Sequence, residues 1–225
     1  MGTPRSASWD AAAARYRWQE PLESTGLDRL IRLLPVPGDG VVLDLGAGPG
    51  TLTRRLRAAL PGHAVLAVER SRAMVAVGRY GGAAVVRGDV TALPLPAGTA
   101  AAVTAAWVLH VLEPPERAAA LAECARVLRP DGHLGLVVPA AVRDPVRRGV
   151  RAATRAALRR TGSSGVLAVP RDLDGLLVAA GFEVVADVTT GRGYWARVMV
   201  ARRSARHAAG CGSHDTSARR PANRP

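Results

Sequence analysis

The run VVLDLGAGPGTLT, from Val41 to Thr53, constrains the fold of this chain more than any other stretch. Val41, Val42, Leu43 and Leu45 read as a buried strand, Gly46, Gly48 and Gly50 as a tight backbone loop, and Thr51 onward as the start of a helix. Glycines let backbone N–H groups approach a ligand closely, and a helix N-terminus is electropositive, so the unit suits a nucleotide cofactor. A glycine turn also joins strand to helix in many α/β proteins with no ligand at all. Asp44 is the sharper clue, because a carboxylate at the end of a strand is costly to bury without a cation or a donor beside it. A dinucleotide fingerprint calls for glycine at position 51, where this chain has Thr51. A pyrophosphate beside Asp44 would add to the cost, and a cofactor with a free ammonium group would lower it.

From Val41 the chain alternates short apolar runs with helical segments, the pattern of a parallel sheet with crossover helices. The spacing predicts strands at 41–46, 64–69, 83–88, 102–107 and 133–139, and helices at 51–60, 71–80 and 115–128. Pro130, Asp131 and Gly132 are expected to turn the chain into the fifth strand. Upstream, residues 8–34 read as two helical pieces broken at Pro21, with Trp9, Ala13 and Tyr16 on one face and Leu27, Leu30, Ile31 and Leu34 on another. Downstream, 143–160 reads as an amphipathic helix with a narrow stripe of Val146, Val150, Ala153 and Ala157. A helix at 171–180 stopped by Gly181 and two strands at 182–188 and 194–201 follow; their short connection favours an antiparallel pair. The expected organisation is an N-terminal helical cap at 1–38, one domain at 39–203 with a basic helical insertion at 143–165, and a disordered basic tail at 204–225.

The 225 residues and 48% hydrophobic content suffice for one such domain with a real core. The net charge of +13 raises nucleic acid as a partner, but it is concentrated. Residues 143–160 hold seven arginines against Asp144, and 201–225 hold six against Asp215. No aromatic residue interleaves the first cluster, which argues against single-stranded nucleic acid. All 31 basic residues are arginine, so no lysine can serve as a base. Cys124 and Cys211 form neither a disulfide framework nor a paired metal spacing, and His63, His133 and His214 match no ligand spacing, so no metal is expected. With no signal-like or membrane-spanning run, the expectation is a cytoplasmic protein, monomeric or homodimeric, without a membrane partner.

Two further acids stand at strand ends. Glu69 closes the second strand in VLAVERS, where it can accept both hydroxyls of an adenosine ribose. Asp89 follows the third strand in Gly88-Asp89-Val90, where it can accept an adenine amino group while Val90 packs on the ring. Asp44 with an ammonium group, Glu69 with ribose and Asp89 with adenine together favour S-adenosylmethionine over a nicotinamide cofactor. The segments VVLDLGAGPGTLT, VLAVERSRAM, RGDVTALPLPAG, WVLHVL and ARVLRPDGHLGLVV stand in an order and spacing that resembles class I S-adenosylmethionine-dependent methyltransferases of the ubiquinone/menaquinone biosynthesis type, also called methyltransferase type 11. The resemblance covers about residues 35–200. It implies a Rossmann-like three-layer sandwich around a seven-stranded, mostly parallel sheet whose last strand is antiparallel and inserted between the fifth and sixth. It also implies a cofactor site of Asp44, Gly46, Ala47, Gly48, Gly50, Glu69, Arg70, Asp89, Val90 and Trp107. Where the family usually opens its fourth strand with Phe-Asp, this chain has Ala100-Ala101-Ala102.

The expected activity is methyl transfer to an oxygen, nitrogen or carbon of a small molecule, in secondary metabolism or quinone biosynthesis. RNA methylation through 143–160 and a catalytically silent binding module are the competing readings. A sulfonium methyl is already activated, so positioning and exclusion of water matter more than acid or base groups. His110, just past the fourth strand, is the candidate base should one be needed. Trp9 and Tyr16 are candidates for the acceptor pocket.

Overall fold

The computed structural model describes residues 9, 10, 13, 20–142, 144–160, 168–191 and 194–204. Seven strands, β1 (Val41–Leu45), β2 (Ala64–Glu69), β3 (Ala84–Arg87), β4 (Ala100–Ala106), β5 (Leu128–Pro139), β6 (Phe182–Thr190) and β7 (Ala196–Arg203), form one sheet in the order β3-β2-β1-β4-β5-β7-β6. β1 through β5 pair in parallel, while β7 lies antiparallel between β5 and β6. This is the inserted final strand that the resemblance implies. The helices with described bounds are α1 (Glu20–Leu33), α2 (Thr51–Ala59), α3 (Arg72–Val77), α4 (Pro114–Val127), α5 (Pro145–Arg160) and α6 (Leu173–Ala179). Of the expected tail at 204–225, residues 205–225 lie outside the described residues, and the Ser204 N–H donates to the Gly181 carbonyl at 2.8 Å.

Side chains alternate across the sheet and build a core on each face. Leu43, Leu45, Val103, Leu134 and Leu136 pack with Leu121 and Leu177 of α4 and α6 on one side. Val42, Ala102, Val137 and Val198 pack with Leu27 and Leu30 of α1 and Leu52 and Leu56 of α2 on the other. By the same alternation Asp44 and Thr104 face the α1 and α2 side, and they are direct register partners across β1 and β4.

Several boundaries depart from the sequence expectation. Pro21 lies in the first turn of α1, where a missing N–H costs nothing, and residues 14–19 before it lie outside the described residues. β4 begins at Ala100 and ends at Ala106, so Trp107 follows the strand instead of closing it. β5 begins at Leu128, because its register against β4 shifts between Ala100 and Ala102 and absorbs the Pro-Asp-Gly stretch as an irregularity. α3 stops at Val77, short of residue 80, because the Arg79 N–H turns away to the Pro49 carbonyl at 2.9 Å. Ala100, Ala101 and Ala102 at the start of β4 are fully buried, and a Cβ on Gly40 would lie 3.0 Å from that of Ala101, so small side chains are needed there.

α1 reaches the sheet through two close approaches. A Cβ on Gly26 would stand 3.0 Å from Ala196 Cβ and 3.1 Å from Val137 Cγ1, and one on Gly135 of β5 would meet Leu30 Cδ1 at 2.7 Å. Gly26→Val is expected to overpack this seam and lower the unfolding free energy by about 1–3 kcal/mol, read from urea denaturation.

Candidate functional site

A cleft open to solvent on one side runs along the carboxyl ends of the parallel strands. Its walls come from five places in the chain. Gly46 and Gly48 belong to the loop after β1, and Glu69, Arg70 and Met74 to the end of β2 and to α3. Gly88, Asp89 and Val90 follow β3, Ala106 ends β4 with Trp107, Val108, Val111 and Leu112 after it, and Trp9 comes from the N-terminal segment.

The glycine loop is held from both sides. Gly46, Gly48 and Gly50 all have positive φ, at +60°, +53° and +84°. A Cβ on Gly46 would strike Val108 at 2.4 Å and one on Gly50 the Arg79 carbonyl at 2.7 Å, whereas Gly48 has open space on its Cβ side. The Gly48 N–H donates to Glu69 Oε2 at 2.9 Å, and its carbonyl accepts the Tyr80 hydroxyl at 2.5 Å. Arg54 donates to the Arg79 carbonyl at 2.7 Å and reaches the Pro49 carbonyl at 3.4 Å. Burial and the nearby charges of Glu69 and Asp44 push the Tyr80 phenol upward, so it stays a donor. Ala47 and Gly50 do not face the cleft: the Ala47 N–H is spent on the Val68 carbonyl at 3.1 Å, and Gly50 closes the turn onto Ala47 at 2.9 Å. Those two residues shape the loop without reaching its open side.

Asp44 lies beneath the loop, 1% exposed and off the cleft wall. Thr53 of α2 donates to its Oδ2 at 2.5 Å and Thr104 of β4 to its Oδ1 at 3.1 Å. Burial outweighs these bonds and, helped by the charge of Glu69, raises its pKa to about 6.

At the other strand ends the acids keep capacity for a ligand. Glu69 accepts Gly48 N–H on one oxygen and Ser71 N–H, at 2.7 Å, on the other, leaving a lone pair on each. Asp89 accepts the Thr91 N–H and hydroxyl on Oδ1 and Arg70 on Oδ2 at 3.0 Å, leaving Oδ2 one lone pair. Partial burial works against the Asp89 anion, but those bonds prevail and hold its pKa below the ordinary value. Arg70 thus reaches the cleft as the partner of Asp89.

After β4 the chain turns at Trp107, whose φ of +59° is the one positive value outside glycine among the described residues. Such a conformation costs on the order of 1–3 kcal/mol and persists where surroundings impose it. Here the Trp107 N–H donates to the Val137 carbonyl at 2.8 Å, and the ring packs at a tilt of 55° against Tyr194, 4.9 Å between centroids. The buried Trp107 Nε1 has no hydrogen-bond partner among the described residues, an orphan donor on a ligand cleft. His110 sits in a 3₁₀ turn at Leu109–Val111, 5% exposed and edge-on to Trp107 at 6.0 Å. It is not among the residues lining the cleft. Arg117, itself buried, secures that turn by donating to the Leu109 carbonyl at 2.8 Å and to Asp172 at 3.3 Å.

The N-terminal segment is tied down over this edge. Asp10 accepts the Ser71 hydroxyl and the Ala73 N–H, which lowers its pKa and sets Trp9 on the cleft. Tyr16, the other acceptor-pocket candidate, lies outside the described residues. Sequence reasoning missed Thr53, Tyr80, Thr104 and Met74, and it passed over Val108, Val111 and Leu112 within WVLHVL. Met74 was detectable, since Ser71 is an N-cap that accepts the N–H three residues on, which fixes the face of α3 that Met74 occupies.

The pKa of Asp44 sets a direction for stability. Between about pH 4 and 6 the folded chain holds a proton that the unfolded chain has released, so this contribution is full at low pH and is lost as pH rises through about 6. Asp44→Asn is therefore expected to stabilise the protein at pH 7 by up to about 3 kcal/mol and to match wild type near pH 4, checked by thermal melts across that range. Tyr80→Phe is expected to cost about 1 kcal/mol and to speed hydrogen exchange at the glycine loop.

Residues 42–132 match the family model described as a methyltransferase domain. The chain is 38% identical to a demethylmenaquinone methyltransferase of Beutenbergia cavernae over 56% of its own length, and it spans 54% of that relative, about half. It is 33% identical to the ubiquinone/menaquinone biosynthesis C-methyltransferase of Syntrophotalea carbinolica, covering 68% of this chain and 69% of that one. Among solved structures, the fold is shared with the 1,6-didemethyltoxoflavin-N1-methyltransferase of Burkholderia thailandensis, with a TM-score of 0.65 and 21% identity over 91% of this chain and 92% of the other. That structure holds 1,6-didemethyltoxoflavin and S-adenosylhomocysteine. With this relationship, this strand order and this glycine loop, the chain belongs to the class I S-adenosylmethionine-dependent methyltransferases of the ubiquinone/menaquinone biosynthesis type.

Proposed function

We propose that this protein methylates a small, largely apolar acceptor with S-adenosylmethionine as donor. The observation that carries the reading is one cleft in which the open side of Gly48, the spare lone pairs of Glu69 and the spare lone pair of Asp89 follow one another along three strand ends. Glu69 would take the ribose hydroxyls, Asp89 and Val90 the adenine, and Gly46 and Gly48 the methionine end. Asp44 would act from below the loop through its negative charge. The bound cofactor supplies a methyl group already activated by its sulfonium. The protein's task is then to position the acceptor and keep water away. Ala106, Trp107, Val108, Val111 and Leu112 form an apolar end suited to this, and Trp9 lines the same cleft.

The acceptor class is supported by that apolar end and by the quinone-pathway names of the two relatives. A poorly acidic acceptor hydroxyl would call on a base, and His110 is the candidate nearest Trp107. An acceptor that is already nucleophilic needs none.

Glu69→Gln is expected to weaken S-adenosylmethionine binding by about 1.5–3 kcal/mol, the worth of hydrogen bonds to a charged group, read by calorimetry. Wild-type affinity is expected to fall as pH drops through about 6, where Asp44 gains its proton and ceases to attract an ammonium group. Asp44→Asn is expected to remove that pH dependence and to leave affinity weak throughout. Incubation with methyl-labelled cofactor and separated metabolite, RNA and protein pools tests the acceptor class. Label in RNA or protein alone would refute a small-molecule acceptor, and no label in any pool would favour a silent binding module.

A further inference from the structure

α5 presents an apolar stripe to solvent on a strongly basic helix. Val146 is 74% exposed and Val150 45%, and Ala153 continues the same face at helical spacing. Arg147 and Arg148 are exposed beside them. From Pro145 to Arg160 the sequence holds six arginines and no acid. Asp144 makes this a well-started helix, accepting the Arg147 N–H on its side chain at 2.8 Å and the Arg148 N–H on its carbonyl at 2.9 Å.

The helix is fastened to the same sheet edge as the cleft. Arg151, about 100° round the helix from Val150 and about 140° from Val146, donates to the Ala140 carbonyl at 2.7 Å, one residue past the end of β5. β5 runs parallel to β4, so Ala140 and Trp107 lie beyond the same ends of neighbouring strands. One face of α5 is thus used for attachment, and the apolar face points away from the body. No described helix is long and apolar enough to span a membrane. A helix that lies in a bilayer surface needs no such length; it needs an apolar stripe, flanking cations and low overall hydrophobicity.

We propose that α5 docks the protein on an anionic lipid surface. Val146, Val150 and Ala153 enter the headgroup boundary, the arginines pair with lipid phosphates, and the cleft-bearing edge is held at the bilayer, from which an amphiphilic acceptor can be drawn. Charge complementarity selects this occupant: a second copy of the chain would oppose one acid-free arginine helix to another. An apolar stripe is also no use to an RNA backbone. The docking goes beyond the methyl-transfer reading and does not depend on it, since vesicle binding requires neither cofactor nor turnover.

The test is co-sedimentation of the full chain with vesicles of phosphatidylcholine, with and without one-third phosphatidylglycerol. Partition into the anionic vesicles, falling with salt, is expected. Arg147→Gln with Arg148→Gln is expected to weaken it about 30-fold, the equivalent of two basic residues lost near an anionic surface. Val146→Asp with Val150→Asp should abolish it while leaving melting temperature and S-adenosylmethionine affinity unchanged. Val146→Trp should strengthen partition and show a blue-shifted emission on vesicles. Three results would each overturn the proposal: no partition into anionic vesicles, wild-type partition by the aspartate variant, or poly(U) binding that the arginine pair weakens while vesicle partition is unaffected. Loss of methyl transfer with intact vesicle binding would instead count against the methyl-transfer reading alone.

Discussion

The hydrogen bonds from Thr53 and Thr104 to the buried Asp44 carboxylate join three elements at one point: β1, which carries the acid, α2, which follows the glycine loop, and β4, whose end supplies the apolar wall. A lone buried carboxylate would be too costly to keep ionised, and two hydroxyl donors lower that cost without adding a positive charge. Their neutrality has a functional side. An arginine in place of either threonine would satisfy Asp44 fully and leave nothing for a cationic ligand group to gain. The site therefore stores an unneutralised negative charge just beneath the loop, and some stability at neutral pH is given up to hold it there.

The loop above Asp44 is set by contacts distant in sequence. Gly48 is fixed through its N–H by Glu69 and through its carbonyl by Tyr80, while Gly46 and Gly50 fit against Val108 and Arg79 with no room for a side chain. Glu69 thus does two jobs, shaping the loop and facing the cleft. That coupling places a carboxylate with spare lone pairs at a defined distance from the open side of Gly48, the pre-organisation a bound cofactor needs. On the far wall the left-handed Trp107 turns the chain sharply out of β4 and brings its ring, Val108 and Leu112 onto the same cleft.

Outside the cleft, α5 and the N-terminal segment converge on the carboxyl edge of the sheet. Asp10 ties the N-terminal segment to the start of α3, Glu20 accepts the Thr51 hydroxyl at the start of α2, and Arg151 ties α5 to the residue after β5. The scaffold of strands is common to the family, and these peripheral elements are what can distinguish one acceptor from another.

Much of the fold was legible because its signals are local. Alternating apolar runs gave five parallel strands, the glycine spacing gave the strand-loop-helix unit, and the short connection before β7 gave the antiparallel pair; Asp44, Glu69 and Asp89 stood out as acids at successive strand ends. The start of β5 was misplaced because a Pro-Asp-Gly stretch reads as a turn, while pairing with β4 can absorb it as an irregularity. Position in the sequence also could not say which loop residues face a ligand. Ala47 and Gly50 share a motif with Gly46 and Gly48, yet their backbone groups are consumed by Val68, Ala47 and the packing of Arg79. By itself, then, the sequence determined the succession of strands and helices and the kind of cofactor, since periodicity and the charge of isolated side chains are properties of short segments; the order of strands in the sheet came from the family resemblance. The tertiary structure alone decided that Thr53, Thr104 and Tyr80 hold the loop and its acid, that His110 lies off the cleft wall, and that α5 turns its valines outward. Each of these depends on which atoms of remote segments fill the same small volume, and no local pattern encodes that.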